Sequence, residues 1–566
     1  MPDLLDDVTA AAGLTVFGAA AVAGAISTRT PSSSPVSPPS GPPDWSPDYD
    51  VVPRVTMLRT ELRALGLDRV VLVGDGAPAR AADAIARTLG VPLTVLDGTD
   101  PHSVAAAVAD RLRRTVVVLT SSSPTSVPLA VDSHRRAFLQ AFEDHGIHDL
   151  GRRFVFVTRP GSPLATTALE MGAQLFLAQP VPLSAYSLVP AGLAGADIND
   201  LVEQAFALAA PPRHTPAAGF SLPSQSSAPT GLRAPAPAPV SSAAGPVSRF
   251  EHPAVALGAA LAAAVAAGRD KIALAPDGSG IVGIGEWVAA LLTTAGSRAV
   301  PVVLETPGSW GHEGPDVLSV TTGGSLVAGI MPGGGIAPDL AVNGPLGAQL
   351  LAWEQALTIA GLIGPGQTAA EPAGATAGFG SAGFPAGGAG QGDPSSQEGV
   401  LRVLDTGLPP QAPAFVDGAV EVHGAVTATT LIGAIDEFAR AVPPGGALVV
   451  RAHLDRTADA AALEVRTGLA GRVDRAVSFA WGGGPVQAVT GVGGAGGTPE
   501  SSAIQITGAV FGDLGVPGRP YTFGELQAAE AADDRQVLID QGRPLLRLHL
   551  TDRNSGIDQL LAALGG

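Results

Sequence analysis

The sequence has no cysteine, a single lysine (Lys271) and few aromatic residues, which are 4% of its 566 residues. The lack of cysteine excludes a disulfide scaffold, a zinc–thiolate site and a cysteine nucleophile. With one lysine, general acid catalysis by an ammonium group is almost excluded, because arginine does not release its proton near neutral pH. Since hydrophobic residues still make up 46% of the chain, its cores must consist mainly of Ala, Val and Leu.

Positive charge is also scarce, with 33 Lys and Arg against 51 Asp and Glu and a formal net charge of -18. Nucleic acids and anionic membranes both attract basic surfaces. We therefore expect neither a nucleic-acid partner nor a membrane partner.

The stretch from Val8 to Ile26 is apolar, but acidic residues and no basic region precede it: Asp3, Asp6 and Asp7. It consists largely of Ala and Gly, which drive membrane insertion weakly. These features favour a helix or a disordered arm over a membrane span. Without a targeting signal, we expect a cytoplasmic protein.

Glycine (73 residues) and proline (50 residues) exceed ordinary usage, which predicts long segments without regular structure. Such segments cannot bury apolar surface and should be sensitive to proteases. The predicted organisation is a disordered or weakly helical N-terminal arm at 1–50, a first α/β domain at 51–209, a Pro/Ala/Ser linker at 210–249, the first part of a second α/β domain at 250–363, a Gly/Ala/Pro-rich mobile segment at 364–399, and the remainder of the second domain with a C-terminal block at 400–566.

Short apolar strands alternate with helical segments from residue 58 onward. The predicted strands of the first domain are Val70 to Val73, Leu93 to Leu96, Val116 to Leu119, Phe154 to Val157 and Gln174 to Leu177. Apolar strands between helices indicate a parallel sheet covered on both faces, which is a doubly wound α/β domain. Later strands predict a second sheet of the same type: Ile272 to Leu274, Val300 to Leu304, Ala447 to Arg451 and Ala503 to Thr507.

Several longer strings occur in a fixed order. They are PGSPL (160–164), LVPAGLAGADI (188–198), GRDKIALAPDGSG (268–280), GPLGAQLLAWEQA (344–356), FVDGAVEVHG (415–424), HLDR (453–456), IQITG (504–508), PGRPYTFGELQAAEAADD (517–534) and GRPLLRLHLTD (542–552). Together they resemble the bacterial glucose-6-phosphate isomerase family in its Ala-rich form, over residues 51 to 566. The resemblance implies two SIS-type α/β domains, often a dimer, and the isomerisation of glucose 6-phosphate to fructose 6-phosphate.

The implied reaction needs a phosphate cradle, a carboxylate base, a cation beside the enediolate and an acid that opens the sugar ring. The family's first glycine-rich turn corresponds to residues 74–79. Gly74 and Gly76 remain as candidate substrate-binding residues. The hydroxyl groups of the family's turn are missing here, and Pro78 has no N–H group. An ordinary strand-to-helix turn with proline near the helix start is therefore the favoured interpretation.

The family's phosphate loop corresponds to residues 121–126, and hydroxyl groups persist there. The candidate phosphate-binding residues are Ser121, Ser122, Ser123, Thr125 and Ser126. Ser122 stands at the family's lysine position, and Pro124 at its glycine position. A weakened anion site and a solvated Ser/Pro loop both remain open.

Other catalytic positions are replaced. About six residues, with the signature arginine, are missing before Leu188, and neighbouring Arg159 is not assigned its role. Val342 aligns with the glutamate base, and Gly374 with a lysine, while Glu354 is expected to be structural. Residues 481–497 lack both histidines and the lysine of the last signature. We therefore predict no catalytic residue, no metal site and no cofactor.

The leading hypothesis is a catalytically inactive or very weak member of this family that acts as a binding or regulatory partner. One alternative is a working isomerase with substitute residues, which a shifted arginine and glutamate in the cleft between domains would support. Another is a sensor that binds a sugar phosphate or a nucleotide sugar through the loop at 121–126.

The resemblance also implies association, as a homodimer or as a heterodimer with an active paralogue. The string at 517–534 is kept almost whole, with Phe523, Leu526 and Val537 as apolar anchors nearby. The segment is either an interface with a partner or part of the core, and the sequence does not choose between the two.

Overall fold

The computed structural model describes residues 8–27, 50–74, 76–181, 183–209, 252–295, 297–306, 309, 314–324, 338–363, 394–408, 411–482 and 501–565. Within these ranges the chain forms three β-sheets, each built around parallel strands with packed helices. The predicted α/β class is therefore confirmed. The predicted linker at 210–249 and most of the segment at 364–399 lie outside the described residues.

Residues 8–27 form a hairpin and a short helix, where the sequence favoured a helix or a disordered arm. The elements are β1 (Val8–Ala11), β2 (Leu14–Phe17) and α1 (Ala19–Ser27). Strand β2 pairs antiparallel with Leu340–Asn343 of the second sheet, and Leu14 and Val16 are fully buried there. Sequence periodicity misses the strands because their partner lies far along the chain. None of the described helices is long and apolar enough to span a membrane.

The first sheet has five parallel strands, in the order β4-β3-β5-β6-β7. The strands are β3 (Arg69–Val73), β4 (Leu93–Leu96), β5 (Thr115–Ser121), β6 (Phe154–Thr158) and β7 (Gln174–Leu177). The helices are α2 (Val51–Ala64), α3 (Gly76–Leu89), α4 (Pro101–Ala109), α5 (Leu129–Asp144), α6 (Leu150–Arg153), α7 (Pro163–Glu170), α8 (Ala185–Ala194) and α9 (Ile198–Ala209).

The helices of this sheet divide between its two faces, because side chains alternate along each strand. Val70 and Leu72 pack with α2, α3 and α8, while Val71 and Val73 pack with α4, α5 and α7. The chain thus changes face between β3 and β5. In open α/β sheets, ligands bind at the carboxyl ends of the strands at such a switch point.

The second sheet combines four parallel strands with the N-terminal hairpin, in the order β1-β2-β11-β10-β8-β9. Its other elements are α10 (Pro253–Ala266), β8 (Lys271–Pro276), α11 (Ile284–Thr294), β9 (Val300–Val303), β10 (Val317–Gly323), β11 (Leu340–Asn343) and α12 (Leu346–Ile359). Helix α12 is buried from Leu346 to Leu357, because it packs between α9 and α10. It therefore ties the first two sheets into one core.

The third sheet comes from the C-terminal block, which the sequence analysis had joined to the second domain. Its order is β12-β13-β17-β16-β14-β15. Its elements are α13 (Pro394–Thr406), β12 (Phe415–Asp417), β13 (Val420–His423), α14 (Leu431–Arg440), β14 (Ala447–His453), α15 (Glu464–Ala470), β15 (Ala476–Trp481), β16 (Ser502–Gly508), α16 (Phe523–Asp540), β17 (Leu545–Leu550) and α17 (Arg553–Leu564).

Part of the string at 517–534 is buried in the core of the folded chain. Phe523 and Leu526, at the start of α16, are fully buried in a cluster with Val104 of α4 and Ala137 of α5. Thr522 and Glu525 close the helix start with a reciprocal capping box. Neither Phe523 nor Leu526 is therefore available as an anchor for a partner.

An ion cluster fastens the C-terminal block to α5. The carboxylate of Asp132 accepts hydrogen bonds from Arg135 (2.6 Å), Arg136 (2.7 Å) and Arg519 (2.7 Å). Burial alone would raise the pKa of Asp132, but the guanidinium groups outweigh it and lower this pKa to about 2. The charged form of Asp132 therefore stabilises the contact between the first and third sheets.

The Asp132→Asn substitution should lower the free energy of unfolding by ~2 kcal/mol at pH 7, because it removes this charged form. The folded-state pKa lies below the unfolded value, so the contribution is present above pH ~4 and is lost as pH falls towards ~2. Urea unfolding at several pH values measures it. Asp144→Asn, at an exposed position on the same helix, is the matched control. A uniform loss at every pH would contradict the assignment.

Candidate functional site

The carboxyl edge of the first sheet brings together the two groups of residues predicted from the sequence. Gly74 follows β3, and the loop at 121–126 begins at the end of β5. The two strands are direct neighbours, with Val73 opposite Leu119. Gly76 begins α3 next to them. The predicted residues therefore lie side by side at the switch point.

Packing and backbone conformation account for both glycines. A Cβ atom on Gly74 would overlap Thr120 Oγ1, which donates to the Val73 carbonyl at 3.3 Å. Gly76 has a φ of +67°, a conformation that disfavours other residues. The interpretation as an ordinary strand-to-helix turn thus has a physical basis without a ligand.

The loop at 121–126 uses much of its hydrogen-bonding capacity on itself. Ser123 donates its N–H to Ser121 Oγ at 3.2 Å, and Ser126 donates its N–H to Ser123 Oγ at 3.3 Å. The hydroxyls of Ser123 and Ser126 are 3.2 Å apart. Ser122 is half-buried and Thr125 is exposed. Ser122 and Thr125 therefore remain to meet a ligand from outside the loop.

A guanidinium group that sequence reasoning passed over lies beside this loop. Arg159 follows Thr158, which pairs with Ser121 across β5 and β6. The Tyr186 hydroxyl donates to the Ser121 carbonyl at 2.9 Å. Burial raises the pKa of Tyr186, and the positive charge of Arg159 opposes that rise. Arg159 Nε is buried without a hydrogen bond in the described structure. Its position at the carboxyl end of a strand next to β5 was the signal available in the sequence.

The crevice at the switch point is almost closed, with a cavity of about 20 Å³. It is lined by Val73, Gly74, Leu96, Asp97, Gly98, Thr99, Ala130, Val131, His134 and Glu530. Glu530 comes from α16 and accepts a hydrogen bond from Thr99 Oγ1 at 2.6 Å. A cavity of this size holds about one water molecule.

His134, the histidine in this cavity wall, is placed as a packing residue. Its Nδ1 lies 2.6 Å from the Ala130 carbonyl, and its ring meets Phe523 edge to face with centroids 5.3 Å apart. Burial lowers the pKa of His134 to about 4. It is therefore neutral at pH 7, which removes it as a proton donor for ring opening.

The two positions considered for a carboxylate base are both buried in the core. Val342 lies inside β11 and is fully buried. Asn343 follows it at the strand end and donates to Asp277 Oδ2 at 2.6 Å. Glu354 is 5% exposed on α12, and burial raises its pKa well above the ordinary value. Gly374 and residues 483–497 lie outside the described ranges.

An arginine and a glutamate do meet where the three sheets join, which is the arrangement expected to support the alternative of a working isomerase. Arg456 Nη2 lies 2.5 Å from Glu286 Oε2 on α11, and Arg456 also lies 3.5 Å from Asp97. Asp97 pairs in addition with Arg80 of α3. These charges neutralise one another. Among the described side chains, no group of three or more histidines and carboxylates is placed to bind a metal ion.

No protein-family model matches the chain, and no curated protein matches it. Among solved structures, it is similar to a glucose-6-phosphate isomerase from Chlamydia trachomatis, at 13% identity and a TM-score of 0.40, over 63% of this chain and 86% of that one. A hypothetical protein from Thermus thermophilus matches at 14% identity and a TM-score of 0.32, over 91% and 82%. A protein described as a phosphosugar isomerase from Silicibacter pomeroyi matches at 12% identity and 0.33, over 61% and 96%. These are distant similarities, and no family assignment follows from them.

The packing explanation for Gly74 predicts a specific instability. Gly74→Ala should lower the free energy of unfolding by ~1–3 kcal/mol, because the new methyl group overlaps Thr120. Thr120→Ala in the same chain should restore part of the loss. Gly98→Ala is the matched control, since nothing lies within 4 Å of its Cβ position. Equal stabilities for the two alanine variants in urea unfolding would refute the explanation.

His134 should make the stability depend on pH. Its folded-state pKa of about 4 lies below the unfolded value, so its contribution is complete above pH ~6.5. Up to ~3 kcal/mol is lost as pH falls towards ~4, because the unfolded chain takes up the proton first. His134→Gln should flatten this slope in urea unfolding, whereas His145→Gln, at an exposed position, should keep it. An unchanged slope in His134→Gln would place the dependence elsewhere.

Proposed function

We propose that this chain is a phosphosugar-isomerase-like protein that lacks isomerase activity, or retains very little, and acts as a binding or regulatory partner. The observation that carries the proposal is the closed switch point, with a cavity of about 20 Å³. Binding sites for small molecules are usually clefts of roughly 300–1,000 Å³. A hexose phosphate does not fit in the described crevice.

The charge states around the crevice support the same proposal. His134 is neutral at pH 7 because burial lowers its pKa to about 4, and burial raises the pKa of Glu354, which is enclosed in α12. Arg456 and Glu286 bind each other. Acid–base catalysis needs groups whose protons can be exchanged near the working pH. His134 does not meet that condition as an acid, Arg456 and Glu286 are held in an ion pair, and Glu354 is 5% exposed and so out of reach of a substrate.

The test is a coupled assay of purified protein with fructose 6-phosphate, prepared in a host without its own isomerase. Turnover should lie at least about a hundredfold below that of an ordinary isomerase, since each lost acid, base or oxyanion partner costs orders of magnitude. Turnover within about a hundredfold of an ordinary isomerase would establish the alternative of a working enzyme with substitute residues.

A second candidate function, the binding of a sugar phosphate at the loop, is favoured by Arg159. Its buried Nε has no hydrogen bond in the described structure, and Ser122 and Thr125 lie on the accessible side of the loop. A guanidinium next to hydroxyl groups suits a phosphate ester. Equilibrium binding of glucose 6-phosphate should weaken at least about tenfold in Arg159→Gln. Unchanged affinity would remove the loop from consideration.

The regulatory role would require association with a second copy or with an active paralogue. It is supported by the retained fold, and not by the string at 517–534, whose anchors Phe523 and Leu526 are used inside the chain. Light scattering at micromolar concentration measures the first form of association. A monomer that also fails to bind an active isomerase would leave ligand binding as the function.

A further inference from the structure

One face of the third sheet is polar over four neighbouring strands. The strand register aligns two rows across β14, β16, β17 and β13. The first row is Arg451, Gln505, Arg547 and His423, and the second is His453, Thr507, His549 and Glu421. Alternate residues point to the same face of a strand, so all eight side chains share one face.

The opposite face of this sheet is an ordinary apolar core. It contains Val450, Ile504 and Leu548, which pack with α14, α15 and α17. The polar face is covered instead by α16, which contacts β14 and β17. A helix normally covers a sheet through apolar side chains. Val537 and Leu538 of α16 do pack with Ala503 and Leu545 on this face, but the two rows beyond them are polar and need charged or hydrogen-bonding partners.

Helix α16 satisfies the part of this face over β14 and β16. Asp534 Oδ2 lies 2.5 Å from Arg451 Nε and 3.1 Å from His453 Nε2. Burial would raise the pKa of Asp534, but Arg451 and His453 outweigh it and lower this pKa. Gln505 Nε2 donates to the Ala531 carbonyl at 2.8 Å. Arg451 is thus matched by a carboxylate.

The part over β17 and β13 is left with unmatched positive charge. Arg547 makes long contacts with neutral groups, 3.5 Å to Thr507 Oγ1 and 3.4 Å to Gln411 Oε1. The side chain of Arg535, on α16, has no hydrogen bond or ion pair within the described residues. Burial lowers the pKa of both arginines; the positive charge of Arg547 adds to this at Arg535, whereas Glu421 opposes it at Arg547.

Two neutral histidines lie on the same face, and with Arg535 and Arg547 they bound a region that we call the groove. His423 is 8% exposed, and neither of its ring nitrogens makes a hydrogen bond of normal geometry, although Glu421 lies 3.4 Å from Nε2. His549 Nδ1 lies 2.9 Å from Thr507 Oγ1. Burial lowers the pKa of both histidines, so each can offer an N–H group while neutral. Arg547, His549 and Glu421 are only half-buried, which leaves the groove accessible from the β13 side.

We propose that this groove, bounded by Arg535, Arg547, His423 and His549, is a binding site for a phosphate group. Arg535 and Arg547 bring two positive charges to this region and Glu421, beside Arg547, brings one negative charge, so the groove carries an excess positive charge. A phosphate group would neutralise that excess and accept several hydrogen bonds, some of them paired from one guanidinium. The site is separate from the loop at 121–126 and does not depend on the function proposed above.

Arg535→Gln tests the proposal through two opposite effects. In phosphate-free buffer it should raise the melting temperature, because it removes the repulsion with Arg547. With inorganic phosphate as the probe, it should weaken binding at least about tenfold and abolish most of the phosphate-induced rise in melting temperature. Arg152→Gln, which removes the same charge from an exposed position on α6, should leave both quantities unchanged. A destabilised Arg535→Gln variant, or one with wild-type phosphate affinity, would overturn the proposal.

The source of the phosphate group is resolved by comparing inorganic phosphate with glucose 6-phosphate. A tighter complex with either one supports the site and identifies the ligand as free phosphate or a phosphorylated metabolite. Chloride at matched ionic strength must not reproduce the stabilisation, because that result would mean charge screening only. If Arg159→Gln removes phosphate binding and Arg535→Gln does not, the anion is bound at the loop and the proposed groove is wrong.

Discussion

Helix α16 is the element on which the arrangement of the molecule depends, because it serves two partners at once. Its first turn is buried against α4 and α5 of the first sheet through Phe523 and Leu526. Its later turns cover the polar face of the third sheet through Asp534. Glu530, between them, lines the crevice at the switch point and accepts a hydrogen bond from Thr99. The same helix thus joins the first and third sheets and contributes to the crevice where a doubly wound domain usually receives a ligand.

This double role changes how the retained sequence strings are understood. The string around α16 contacts other parts of the chain on both of its sides. Asp132 and Arg519 add charged contacts at the same junction. Arg456 of the HLDR string reaches Glu286 of the second sheet. Both strings therefore contribute contacts between sheets, and Val342 and Glu354 lie in the core.

Much of the α/β layout could be predicted from the sequence, because its signals are local. The strands Leu93–Leu96 and Gln174–Leu177 have the bounds that their short apolar runs predict. Strands β1 and β2 were missed because they exist only through pairing with β11. The third sheet was also missed as a separate unit, since strand count and order depend on contacts between distant segments.

The candidate site, like the fold, could be predicted from the sequence only in part. Motif order predicted that Gly74 and the loop at 121–126 would lie together, because both follow neighbouring parallel strands. It could not predict that Glu530 would close the crevice, or that Thr120 would account for Gly74. Nor did it identify Arg159, since the placement of its guanidinium depends on the path of α8 and Tyr186.

The docking of α16 also has a consequence for synthesis on the ribosome. The first sheet is complete in sequence by residue 209, but the apolar patch around Val104 and Ala137 is covered only by Phe523 and its neighbours. A nascent chain therefore exposes this patch while more than half of the protein is still being translated. The nearby side chains of Asp100 and Thr99 form their hydrogen bonds with Gln527 and Glu530 only after those later residues have been synthesised. The rate at which the chain after residue 209 is translated, and the access of chaperones, therefore determine how long this apolar patch stays exposed in the cell.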